Sequence, residues 1–224
     1  MATTTNFGWT TPDDTSLVKD GASAIRTLGS AIDTAFVDFK GGTTGQVLKK
    51  SSATDLDVEW GAASSGLTLI NTTSFSAVAS QSINDVFSAT YTKYRVIINF
   101  SNTAANSFKL RMRVAGADMT TSDYNFQNVE LNNTSVSAGR TTSDTSFALS
   151  SVGTTGINMH DLLIGQPQQT TNTTLIGHIL QTQNTIMSSF NVGITSVTTS
   201  FTGFSFFPGS GNMTGDVSVY GFAK

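Results

Sequence analysis

The chain contains no cysteine, which excludes disulfide bridges, thiolate nucleophiles and cysteine-ligated zinc or iron–sulfur centres. Charge is also scarce. Asp, Glu, Lys and Arg make up 12% of the residues, against a usual share of roughly 25%. The net charge is −3, and nothing in it resembles the basic footprint of a nucleic-acid binder. No apolar run approaches the roughly 20 residues of a membrane-spanning helix, so no membrane insertion is expected. Met1-Ala-Thr-Thr-Thr5 lacks the charged and apolar regions of a secretory signal. The Asn-x-Ser/Thr triplets at Asn71, Asn132, Asn133 and Asn172 therefore read as turn and strand composition. No repeat of about 20–50 residues appears, which argues against a solenoid or propeller.

The remaining composition is that of a β protein. Fifteen Phe, with many Val, Ile and Thr, can fill strands and a core, and 20 Gly supply turns. The 224 residues suffice for one ordinary domain and a short extra segment. Charge is unevenly placed: residues 1–60 hold 13 of the 27 charged residues. The rest of the chain is neutral overall.

Thr11-Pro12-Asp13-Asp14 has the form of a helix start, with Thr11 as cap, Pro12 at the first position and acids at the positive end of the dipole. Apolar residues then recur at Val18, Ala22, Ile25, Leu28, Ile32, Phe36 and Phe39, a single helical stripe. Gly21 weakens the pattern and divides it into two pieces. The stripe fits a helix lying on the chain's own β domain, or a short self-associating bundle. About three heptads are marginal for the bundle alone, so the rest of the chain would have to help.

Gly41-Gly42 ends the helix. Gln46–Lys50 and Leu56–Trp60 read as two strands of a hairpin, with Leu56, Val58 and Trp60 on one face. Such a hairpin is barely stable alone. Ala62-Ala-Ser-Ser-Gly66 reads as a linker. The expected organisation is a helical attachment segment over 1–40, a hairpin module and linker over 41–66, and a β domain over 67–224.

In that third region Tyr94, Val96, Ile98 and Phe100 alternate with Arg95, Ile97 and Asn99. Leu110, Met112 and Val114 alternate with Lys109, Arg111 and Arg113. Both are half-buried strands, expected as antiparallel neighbours joined through Ser101–Ser107. Residues 131–146 and 151–158 read as loops or loosely paired strands. Further strands over 162–164, 175–180, 190–194, 201–206 and 217–222 complete the pattern. The expected fold class is mainly β: a short N-terminal α-helical segment followed by an antiparallel β-sandwich or jelly-roll domain.

Site chemistry is sparse. Gly41-Gly-Thr-Thr-Gly45 lacks the Lys-Ser/Thr of a phosphate loop, and no Gly-x-Ser-x-Gly elbow occurs. His160-Asp161 has the residue types of a triad, but sequence adjacency does not build triad geometry, and a loop histidine is the plainer reading. His178 reads as a strand residue. The acids of the β region are scattered, and Asp118 with Asp123 matches no EF-hand spacing. No catalytic residue, metal ligand or cofactor is assigned. Lys109, Arg111 and Arg113, with Arg95 placed beside them, form the one cation cluster, suited to an anionic glycan or phosphate or to a solvated strand face. Tyr91, Tyr94 and Tyr124 are candidate sugar-stacking rings, although strand tyrosines usually pack.

Three segments carry a resemblance. Asn6-Phe-Gly-Trp-Thr-Thr-Pro-Asp-Asp-Thr-Ser-Leu-Val-Lys-Asp-Gly-Ala-Ser-Ala-Ile-Arg-Thr-Leu-Gly29 resembles the N-terminal segment of tailed-bacteriophage virion structural proteins of the minor tail, tail-fibre and appendage type. Gly41-Gly-Thr-Thr-Gly-Gln-Val-Leu48 with Asp57-Val-Glu-Trp60 is similar to the module that follows it there. Gly215-Asp-Val-Ser-Val-Tyr-Gly-Phe-Ala-Lys224 resembles their closing strand, and Phe87–Val96 with Leu110–Gly116 their distal β domains. The resemblance implies a homotrimer held on the virion through its N-terminal segment, in contact there with other virion proteins. Val18, Ile25, Leu28, Ile32, Phe36 and Phe39 would be the oligomerisation residues, and the β domain would meet host surface glycan or protein. It carries over no catalytic residue and fits a head fibre or capsid decoration protein as well as a tail fibre. A polysaccharide depolymerase would need a carboxylate cleft that this charge-poor region does not announce. A free lectin-like module would not need residues 1–60.

Overall fold

Asp13 decides how the chain begins. Its carboxylate accepts hydrogen bonds from the Thr15 amide (3.2 Å), the Thr15 hydroxyl (2.8 Å) and the Ser16 hydroxyl (2.9 Å), while its own amide donates to Ser16 Oγ (3.1 Å). This local closure competes with helix formation. The helix expected from Thr11 therefore starts later. Thr11 instead lies in strand β2 (Thr10–Thr11), paired with β1 (Ala2–Thr3). A 3₁₀ turn at Val18–Asp20 leads into α1 (Gly21–Ala35), and a second turn at Val37–Phe39 follows it. Gly21 is thus the junction of the two helical pieces. Strands β3 (Gln46–Lys50) and β4 (Val58–Ala62) form the expected hairpin, with Leu48 opposite Trp60 and Lys49 bridged to Glu59 at 3.1 Å. Gly42 has φ +83°, and a Cβ there would meet the Trp60 ring at 2.7 Å, so the chain passes the indole only as glycine.

This computed structural model describes residues 1–63, 66–154, 156–183 and 185–222, the side chains of 183 and 185 excepted. Two compact units are present, Met1–Ser64 and Ser65–Lys224, so the helix and the hairpin share one unit. Ser64 and Ser65 of the expected linker, and the last two residues of the closing motif, lie outside the described residues.

The second unit runs through β5 (Leu67–Val78), β6 (Gln81–Ile83), β7 (Lys93–Asn102), β8 (Asn106–Val114), β9 (Ala117–Asp118), β10 (Tyr124–Asn132), β11 (Ser135–Asp144) and β12 (Phe147–Val152). It continues through β13 (Asn158–Gly165), β14 (Thr174–Gln183), β15 (Thr185–Thr195), β16 (Gly203–Pro208) and β17 (Met213–Phe222). Eight of these form an antiparallel sheet in the order β11-β10-β15-β14-β13-β7-β17-β5. A smaller antiparallel sheet runs β12-β8-β16-β6, with β9 pairing β8. The two make a sandwich, as the composition implied.

Its core is built by alternation. Tyr94, Val96, Ile98 and Phe100 of β7 point inward beside Leu162 and Ile164 of β13 and Val217 and Val219 of β17. Phe108, Leu110, Met112, Phe147, Phe204 and Phe206 come from the small sheet. Phe100 stacks on Phe108 at 5.0 Å, and Phe75 meets Phe206 edge-on at 5.4 Å. Each such side chain contributes about 1.5–3 kcal/mol by burial.

Two expectations change here. Strands β7 and β8 are consecutive but not paired: β7 lies between β13 and β17, and β8 lies in the other sheet. Each has one apolar face, and crossing between layers turns both faces to a single core. Residues 131–146 are mostly strand, since β10 and β11 form a long regular hairpin closed at Asn133, whose φ of +55° asparagine tolerates.

Candidate functional site

The helical stripe is largely open to solvent in the single chain. Val18 is 96% exposed and Ile25 66%, with Ile32, Phe36 and Phe39 also exposed. The face that α1 turns toward its own unit is instead Gly21, Ala24, Leu28, Ala31 and Ala35, of which only Ala24 is fully buried. Leu28 thus sits between the two faces. Phe36 contacts Trp9 (6.3 Å) and Phe39 (5.5 Å), and Trp9 stacks on Phe7 at 4.7 Å. These rings form a small aromatic cluster within the unit.

The expected cation cluster is divided by the fold. Arg95 lies on the large sheet, whereas Lys109, Arg111 and Arg113 lie on β8 of the small one. Arg95 holds Asp161 through Nε (2.8 Å) and Nη2 (2.6 Å). That pairing raises the arginine's pKa and holds the Asp161 carboxyl below its usual range. Arg113 is spent on Asp118, the Gly116 carbonyl and Asn84 Oδ1. Arg111 donates to the Thr145 carbonyl at 3.0 Å and lies over the Phe207 ring at 4.7 Å. Lys109 forms no ion pair among the described residues. The cation character left on the outer face of the small sheet therefore rests on Lys109 and Arg111.

His160 lies in strand β13 rather than in a loop, with its ring in the core. It packs on Phe108 at 4.2 Å and Phe100 at 5.4 Å, and neither ring nitrogen has a hydrogen-bond partner. Burial pushes its pKa down to about 3, so it is neutral in the folded chain. Asp161, the next strand residue, points to the opposite face and cannot orient it. Tyr94 and Tyr124 are fully buried, donating to the Ser88 and Met119 carbonyls (2.8 and 2.9 Å), and burial raises the Tyr124 pKa. Neither is a sugar platform. Asp118 is engaged by Arg113 and Ser205, and no group of three or more His, Asp or Glu is arranged for a metal among the described residues.

Sequence reasoning missed the outer face of the large sheet. Register aligns Val129, Phe190, His178, Asp161 and Ile97 in one row across β10, β15, β14, β13 and β7. The neighbouring row is Gln127, Val192, Ile176, Leu163 and Arg95. His178 stacks flat on Phe190 (4.5 Å, 5°), and its Nε2 is 2.9 Å from Ser188 Oγ. A shallow depression of about 320 Å³ runs between Arg95, Asp161, Ile176, His178, Phe190 and Phe222. The signal was present in β14, where Leu175-Ile176 and Ile179-Leu180 place apolar residues on both faces instead of one. No protein-family model matches the chain, and no curated protein sequence matches it significantly.

Proposed function

We propose that the chain is a virion structural protein of a tailed bacteriophage: a short tail-fibre or appendage subunit that is anchored by its N-terminal unit and displays the sandwich for adhesion to the host surface. The observation that carries this reading is the uncovered apolar stripe of α1, set in the unit whose residues 6–29 and 41–60 bear the resemblance. A unit of this size that buries so little by itself needs other chains to complete its core. Three copies meeting along Val18, Ile25 and Ile32, with Leu28 at the margin, would supply that core. Other virion proteins then hold the assembled unit on the particle.

The sandwich acts as a passive surface. It binds without catalysis and needs no cofactor. The small sheet offers Lys109 and Arg111 outward, beside the exposed loops, to host glycan or protein.

Immunogold labelling of intact particles with antibody against residues 67–224 tests this reading. Gold at the tail or its tip is the expected result. Gold over the capsid makes the protein a head fibre or decoration protein, and absence from purified particles overturns the virion reading.

A further inference from the structure

The outer face of the large sheet carries a second uncovered apolar surface. Val129, Leu131, Ile176, Phe190, Val192 and Ile194 lie on adjacent strands β10, β15 and β14, in direct cross-strand register. Phe190 and Ile176 are each 54% exposed. Apolar residues scattered singly over a surface need no explanation, but a contiguous patch of this kind marks a contact. The same strands already fill the core from their inner positions with Leu175, Ile179 and Met187. Strands apolar on both faces are those covered on both faces.

We propose that this face is covered by other copies of the same chain, so that the sandwiches associate through their large sheets while the N-terminal units associate through α1. The inference rests on the self-association proposed above and names its second surface. Charge identifies the occupant. The only ionised groups in the rows through Phe190 and Ile176, from β10 to β7, are Arg95 and Asp161, which pair within the chain. His178 spends Nε2 on Ser188. The patch therefore asks for no counter-charge, and two copies of it meet without repulsion. A charged receptor would find no complement there. Association of the N-terminal units adds an entropic reason: it holds the sandwiches at a high effective concentration, so even a weak sheet-face contact forms. The small sheet and its Lys109 and Arg111 are left free for an external ligand.

The absence of cysteine makes the test direct, because a single introduced thiol reports only its own position. Val192→Cys and, separately, Ile176→Cys are made in the full-length chain, with Thr121→Cys on an exposed loop as reference. Each is reacted with polyethylene-glycol maleimide, and native mass is measured in parallel. The expected result is labelling about tenfold slower at positions 192 and 176 than at 121, in protein of trimeric mass. Equal rates in trimeric protein overturn the sheet-face contact while leaving the α1 seam standing. Equal rates in monomeric protein overturn both. Slow labelling in monomeric protein overturns the contact between copies, since the cover would then come from the same chain.

Discussion

The two units of this chain solve the same problem in opposite ways. In the second unit two sheets face each other, and Phe100, Phe108, Leu110, Phe204 and Phe206 are excluded from water by residues of the same chain. In the first unit Ala24 is the only fully buried apolar residue among those described, while Leu17, Val18, Ile25, Ile32 and Val37 stay in solvent. A unit of about 60 residues is marginal even with a full core. The difference teaches that exposure of apolar groups here is organised. The unit that cannot close on itself carries the attachment-type motif, and the unit that can close supplies the durable surface.

The change expected to break this contrast most completely is Ile25→Asp. A carboxylate in an apolar seam has no partner and must be solvated. The variant is expected to run as a monomer and to lose the helical signal of α1, with the unfolding transition of the sandwich unchanged. Native mass and far-ultraviolet circular dichroism read both effects, and an unchanged trimeric mass would sink the seam. The converse change is Phe206→Ala, which empties a site lined by Phe75 and Phe108. It should lower the sandwich's stability by about 3–5 kcal/mol, measured by denaturant unfolding, and leave the α1 seam formed.

An acid titration follows. His160 has its pKa lowered to about 3 in the folded state, against 6.5 for a free imidazole. Below pH 6.5 the unfolded chain takes up a proton that the folded chain refuses. This contribution to stability is therefore intact above pH 6.5 and lost progressively down to about pH 3, at up to about 1.4 kcal/mol per pH unit. His160→Leu should hold stability within about 1 kcal/mol at pH 7, because it removes two unpartnered nitrogens, and should flatten this slope. A slope identical to the parent's would show that the imidazole protonates in the fold.

A smaller effect, confined to the first unit, is expected from Gly42→Ala. It places a Cβ against the Trp60 ring at a φ of +83° and should cost about 1–3 kcal/mol. Differential scanning calorimetry should show the lower transition move and the upper one stay. Smallest is Arg95→Ala, which breaks a partly exposed ion pair and should change sandwich stability by about 1 kcal/mol or less.

How much of this was legible in the sequence depended on whether a signal was local. The hairpin over 46–60 and the inward residues of β7 and β8 follow from period-2 alternation, which the backbone imposes directly. The helix start did not follow, because the capping pattern at Thr11 lost to the side-chain bonds of Asp13, a competition between two local motifs. The partners of Arg95 and Arg113 were not legible at all. Asp161 is 66 residues from Arg95, and only the order of strands in the sheet brings them together. For the same reason His160 and Asp161, adjacent in sequence, lie on opposite faces. The outer apolar face of β14 and β15 was written in the sequence, but the eye reads a broken alternation as noise until register aligns it with its neighbours.

The most direct test of the account is the native mass of the unmodified full-length chain by sedimentation equilibrium over a wide concentration range. The account predicts a species of three times the chain mass of 23.6 kDa, in which the α1 helix is present. A single species of 23.6 kDa with a stable helix at all concentrations would contradict it, because the exposed stripe would then need no partner.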